Sequence, residues 1–167
     1  SLPIAYEDGP DGFMGVAADG NILYGTRSGV QYMSTGMLML ADFLAEDTTV
    51  DAAIVGKDRI LHLGKSLTLI DASKLGETLK TVPLGGSTAA ALTVSRDYRF
   101  AYYLDLTAGE LVSLSLNVAA ASWNEIARTE LPEQGLDSMV ISPSGRNLLI
   151  YDKDDTDRIV LMRVSRE

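Results

Sequence analysis

Short runs in which apolar and polar residues alternate recur along the chain, separated by turns rich in Gly, Asp, Ser and Pro. The clearest is Ser138-Met-Val-Ile-Ser-Pro-Ser-Gly-Arg-Asn-Leu-Leu-Ile-Tyr151, which reads as strand, tight turn at Pro143-Ser144-Gly145, strand. Period-2 alternation places one side of a strand against a core, while Pro, Ser and Gly preset or tolerate turn dihedrals. The same outline appears at 91–103, turning at Arg96-Asp97, and at 52–62, turning at Gly56-Lys57-Asp58. It appears once more at 14–24, turning at Asp19-Gly20. Aligned on Gly20, Asp58, Tyr98 and Gly145, these hairpins are spaced by 38, 40 and 47 residues.

Each hairpin is followed by further strand-like runs: 29–33 and 37–41, 66–70 and 77–84, 110–116 and 123–131, and finally 157–164. The run Met37–Ala45 also suits a short helix, since Met, Leu and Ala favour helices, but the repeat asks for a strand there. Leu2–Tyr6 is one more strand-like segment ahead of the first hairpin, bringing the total to sixteen. A period near 40–50 residues with four strands per unit is the pattern of propeller blades. The expectation is therefore an all-β chain, a small β-propeller of about four blades of four antiparallel strands. As a single domain over 1–167, its blades would be about 12–45, 48–84, 87–132 and 135–164, with 2–6 as the outer strand closing the last. Such a clasp would remove an open sheet edge. Alternatively, the chain forms half of a ring completed by a second copy or another polypeptide.

The segment Val140-Ile-Ser-Pro-Ser-Gly-Arg-Asn-Leu-Leu-Ile-Tyr151 resembles the repeat of YVTN-type and WD-type β-propellers, with Ser144 where an Asp is usual. Asp157-Arg-Ile-Val-Leu-Met162 is similar to the third strand of such repeats, and Thr93-Val-Ser-Arg-Asp-Tyr-Arg-Phe-Ala-Tyr102 to the preceding unit. The resemblance spans 12–167 as architecture and is specific over 88–167. No Trp-Asp dipeptide is present. The resemblance implies a fold and no single activity, because propellers host enzymes, scaffolds and receptors alike.

Charge and composition narrow the chemistry. The 167 residues carry 14 bases and 23 acids, a net charge of −9, which disfavours nucleic acid and anionic membranes as partners. Eight acids and one base fall in residues 1–56, an acidic bias suited to a basic partner or simply to solubility. The absence of cysteine removes disulfides, thiolate nucleophiles and Cys-ligated metals, and a single histidine, His62, removes two-histidine schemes. No apolar run reaches the ~20 residues of a membrane span, and no signal peptide is expected in the chain as given.

Several segments carry candidate chemistry. Asp152, Asp154, Asp155 and Asp157 cluster carboxylates on an expected loop, the oxygen-rich setting that Ca²⁺ prefers, though without the Gly and bidentate Glu of an EF-hand. Calcium is the one cofactor candidate. Glu7-Asp8-Gly9-Pro10-Asp11-Gly12 forms a second acidic turn. His62 alternates with Leu61 and Leu63 on an expected strand and would need a carboxylate or nucleophile partner to act in catalysis. Gly85-Gly86-Ser87-Thr88 looks like a phosphate loop but lacks the Gly-Lys-Ser/Thr ending and a following helix. Tyr98, Tyr102, Tyr103 and Trp123 gather in the third unit, where they would form a partner-binding surface or fill the wedge between blades. No nucleophile elbow, zincin or dinucleotide motif occurs, so no catalytic or cofactor-binding residue is assigned. The expected role is a non-enzymatic binding module or structural subunit making protein–protein contacts, self-association included. The alternative is an enzyme, or a subunit carrying a metal or quinone in the central channel or on the acidic loops.

Overall fold

A computed structural model of the chain describes residues 50–56, 59–71, 74, 76–155 and 157–164, together with the backbone of four earlier strands. Those four are β1 (Met14–Val16), β2 (Ile22–Thr26), β3 (Gly29–Met33) and β4 (Leu40–Phe43). Then come β5 (Asp51–Ile54), β6 (Arg59–Leu63), β7 (Ser66–Asp71), β8 (Glu77–Pro83), β9 (Ala89–Val94) and β10 (Phe100–Asp105). The chain continues through β11 (Glu110–Asn117), β12 (Ser122–Glu130), β13 (Ser138–Ile141), β14 (Asn147–Tyr151) and β15 (Ile159–Arg163). They form four antiparallel sheets in strict chain order, β1 to β4, β5 to β8, β9 to β12 and β13 to β15.

The first strands of consecutive sheets adjoin, β1 with β5, β5 with β9 and β9 with β13, so each sheet runs outward from an inner strand. This is the radial, all-β arrangement of a propeller. Each sheet falls inside one expected unit. The ambiguous 37–45 region contributes a strand at Leu40–Phe43, so the helical alternative fails there: pairing with β3 from Val30 to Met33 outweighs local propensity. The proposed clasp Leu2–Tyr6 lies outside the described residues, and the fourth sheet has three described strands.

The hairpin turns of the third and fourth sheets are built alike. In one, the Ser95 N–H donates to the Phe100 carbonyl at 2.9 Å, and Phe100 N–H donates back to Ser95 Oγ at 3.0 Å. In the other, Ser142 and Asn147 repeat the same pair at 2.9 and 3.1 Å. The fourth turn residue is left-handed in both, Tyr98 at φ 56° and Gly145 at φ 65°, a conformation cheap for Gly and strained for Tyr. Ser144, standing where Asp97 stands, also does its work: Ser144 Oγ lies 3.1 Å from Ser142 Oγ and accepts from Arg146 N–H at 3.4 Å. Asp97 makes the matching contacts at 2.6 and 3.4 Å.

With the turns aligned, the strands after them correspond position by position. In β10, Ala101 and Tyr103 turn toward the second sheet and join a core with Leu61, Leu63, Leu67 and Leu69. Phe100, Tyr102 and Leu104 turn the other way and join a second core with Met139, Leu148 and Ile150 of the fourth sheet. All six residues of β10 are therefore buried, because an interior blade is covered on both faces. At β14 the same parity puts Leu148 and Ile150 inward, while Leu149 and Tyr151 occupy the positions of Tyr102 and Leu104.

Candidate functional site

Two polar constructions cross or border the seam between the second and third sheets. Ala91, at φ 45°, is passed over in the β9–β10 register, where Tyr103 pairs with Leu92 and Leu104 with Ala90. Such a bulge leaves an N–H without its ladder acceptor. Asp51 on β5 supplies one: its Oδ2 accepts from Leu92 N–H at 2.7 Å, while Oδ1 accepts from Ala52 N–H at 2.8 Å. Burial pushes the Asp51 carboxyl up to about 6, against the opposing pull of these two N–H donors. A raised carboxyl pKa means that the folded state holds the proton more tightly than the unfolded chain. The associated stability is thus complete below about pH 4 and lost as the pH rises through about 6. The expected loss across that window is on the order of 2–3 kcal/mol. Urea titrations from pH 4 to 7 should show this slope in the native chain and a flatter one in Asp51→Asn.

Farther out, Arg128 on β12 gathers three carboxylates: Asp105 and Glu110, each at 3.2 Å, and Glu125 at 2.9 Å. Asp105 is buried. Burial alone would raise its pKa, yet the Ala108 N–H, Arg128 and Ser87 together hold it below the ordinary value. Burial also raises the Tyr103 phenol, opposed by Arg128. Lys80 on β8 spans the same seam, its ammonium 4.2 Å from the Trp123 ring centroid and donating to the Trp123 carbonyl at 3.5 Å. Beneath it lies a cleft of about 340 Å³ lined in part by Leu67, Val82, Tyr103 and Leu114.

The residues singled out from sequence fall as follows. Tyr102, Tyr103 and Trp123 are buried and pack between sheets; only Tyr98 is exposed, at 38%. Of the two readings of these aromatics, three of the four thus take the second and fill the wedge between blades. His62 is fully buried on β6, beside Thr68 across the ladder, away from any solvent-borne substrate. Asp152, Asp154, Asp155 and Asp157 do not converge: among the described residues no three His, Asp or Glu side chains are grouped to hold a metal. Asp152 Oδ2 instead pairs with Arg158 at 3.1 Å, its Oδ1 accepts from Asp154 N–H at 3.0 Å, and Asp155 accepts from Asp157 N–H at 3.2 Å. The Asp152 and Asp155 carboxylates thus shape their own loop, which Asp137 anchors through Lys153 N–H at 3.1 Å. Gly85 and Gly86 form a turn whose Ser87 N–H donates to the Leu84 carbonyl, and Thr88 N–H donates to Thr107 Oγ1 at 2.8 Å. Those donors already serve the connection between sheets. Glu7–Gly12 lies outside the described residues. No helix among the described residues is long and apolar enough to cross a membrane.

One surface escaped the sequence reading. Val140, Leu149 and Leu161 stand side by side across β13, β14 and β15, with Tyr151 and Ile159 paired next to them. Val140 is 47%, Ile159 53% and Leu161 70% exposed. The signal was present in Ile159-Val-Leu-Met162, where positions of both parities are apolar, as in a strand meant to be covered on both faces.

No family model matches the chain, and no curated protein matches its sequence. Solved structures do. A chain of a mitotic checkpoint complex superposes with a TM-score of 0.75 at 15% identity, over 90% of this chain and 48% of that one. The Pseudomonas aeruginosa periplasmic gluconolactonase gives 0.72 at 14% identity, over 92% of this chain and 50% of that one. The C-terminal WD40 domain of Sif2 gives 0.70 at 11%, over 92% and 45%. These likenesses establish a β-propeller fold, and the chain spans about half the length of each of these three proteins.

Proposed function

We propose that this chain is a non-enzymatic propeller module acting through protein–protein contact, with the outward face of the fourth sheet as its docking surface. The observation that carries the reading is the contiguous, solvent-facing row Val140, Leu149, Leu161 beside Tyr151 and Ile159. Scattered apolar residues need no explanation, but a continuous patch across three strands marks an interaction site. The similar structures include both an assembly and an enzyme, so their fold does not choose between binding and catalysis. The burial of His62 and the loop-internal bonding of Asp152 and Asp155 weigh toward binding.

A photo-cross-linking residue placed at position 161, in the cells that make the protein, is expected to trap a polypeptide. The same probe at 126, exposed on β12 outside the patch, should not. Failure to trap a polypeptide from 140, 159 and 161 alike would overturn the reading.

A further inference from the structure

We infer that the partner of the fourth-sheet face carries an acidic polypeptide segment, received by Arg96, Arg99, Arg146 and Arg163 at the hairpin-turn end of the third and fourth sheets. The inference rests on the protein-contact reading above and adds the chemistry of the partner.

Topology gathers these arginines. β9 and β13 adjoin as the inner strands of neighbouring blades, so the turns that follow them, 95–99 and 142–146, stand at the same end. Arg163 pairs with Asn147 there, and the Val164 N–H donates to the Arg146 carbonyl at 2.9 Å. All four arginines are exposed. Segments 95–99, 117–122, 142–147 and 162–164 hold no other base and one acid, Asp97, whose Oδ1 accepts from Ser95 Oγ and Arg99 N–H. At the opposite end of the same two sheets, segments 105–110, 130–137 and 151–159 hold nine acids and two bases. A net charge of −9 conceals this polarity.

Their lack of ion pairs sets the four apart. Elsewhere Arg158 pairs with Asp152 at 3.1 Å, Lys153 with Asp137 at 3.4 Å, Arg59 with Asp71 at 3.5 Å and Lys74 with Glu77 at 3.2 Å. Among the described residues, no carboxylate pairs with Arg96, Arg99, Arg146 or Arg163. A guanidinium presents a planar fork that grips a carboxylate through both oxygens, and Arg and Tyr commonly anchor protein interfaces. Tyr98, between Arg96 and Arg99, is exposed and left-handed, a strained choice where the equivalent turn uses Gly145.

The arginines also continue the apolar row. Ile159, Leu161 and Arg163 are the exposed positions of β15, so the row ends on a cation. The five residues of β14 span about 17 Å, roughly two screening lengths at physiological salt, so the two charged ends act separately. A nucleic acid, charged throughout, is repelled by the acidic end. A polypeptide can set acids on the arginines and apolar side chains on Leu161 and Ile159.

Fluorescence anisotropy of a labelled ten-residue glutamate peptide tests this. The native chain should bind it with a Kd of roughly tens of micromolar in ~0.1 M salt, and more weakly as salt rises. Arg146→Glu with Arg163→Glu should weaken binding by at least about tenfold, and the milder pair Arg96→Gln with Arg99→Gln severalfold. Lys74→Glu, on the second sheet, should change it by less than about twofold. All variants should keep the β-rich circular dichroism of the parent. No binding, binding untouched by both arginine pairs, or tighter binding of a ten-nucleotide DNA strand would overturn the inference and leave protein contact standing. So would a polypeptide trapped from position 161 whose contacting segment lacks Asp and Glu. Failure of the probes at 140, 159 and 161 to trap any polypeptide overturns both.

Discussion

Ile150→Ala is expected to lower the unfolding free energy by about 3 kcal/mol, whereas Leu161→Ala, in the adjacent strand of the same sheet, changes it by less than about 0.5 kcal/mol. Ile150 is fully buried against Tyr102 and Leu104, and removing its branched side chain opens a cavity in a seam that little can relax into. Leu161 is 70% exposed and loses contacts it scarcely has. Both should be measured at the same submicromolar protein concentration. Urea midpoints read this contrast directly. Equal losses at the two positions would mean that the outward face is sealed within the chain, and an unaffected Ile150→Ala would remove the blade seam itself.

Arg128→Met is the second large effect, expected to cost about 2 kcal/mol at pH 7 and low salt. The Asp105 carboxylate is buried, and losing its cation leaves a charge held by Ala108 N–H and Ser87 only. Glu110 and Glu125 are more exposed and contribute little through screened attraction. The pH dependence reports on this site. In the native chain the Asp105 pKa is lowered, so its stability is present above the ordinary carboxylate pKa and lost as the pH falls through the lowered value. Without Arg128 the Asp105 pKa is held down only by the Ala108 N–H and Ser87, so the stability lost on acidification should shrink. Adding Asp105→Asn to Arg128→Met should recover more than half of the loss, a coupling that denaturation of the four proteins of the cycle would reveal. Independent, additive losses would show that the pair does not act together.

The hairpins, their spacing and the blade-like grouping were legible because they depend on local chemistry. Ser142-Pro-Ser-Gly and Ser95-Arg-Asp-Tyr specify the same turn through their own side chains, and alternation marks the strands on either side. What the sequence concealed was which face each side chain takes in a strand covered on both sides. In β10 every residue from Phe100 to Asp105 is buried, so no polar alternation separates Tyr102 and Tyr103 from surface tyrosines. Asp51 was equally hidden. Its role depends on a bulge at Ala91, forty residues away, which exists only once β9 has been registered on β10. The acidic loop misled for the opposite reason: carboxylates at loop spacing suit calcium, but backbone N–H groups two residues on and Arg158 engage Asp152 and Asp155 locally. The open face left a trace in Ile159–Met162, legible only to a reader asking what covers the last blade.

The arc with one sealed and one open face is tested most directly by thiol labelling, since the chain has no cysteine and each variant carries a single thiol. At submicromolar concentration, Leu161→Cys should react within about tenfold of the unfolded rate. Ile150→Cys should stay protected by more than about a hundredfold throughout. Protection of position 161 equal to that of 150 at every concentration would contradict the account, because the fourth sheet would then be covered by the chain that carries it.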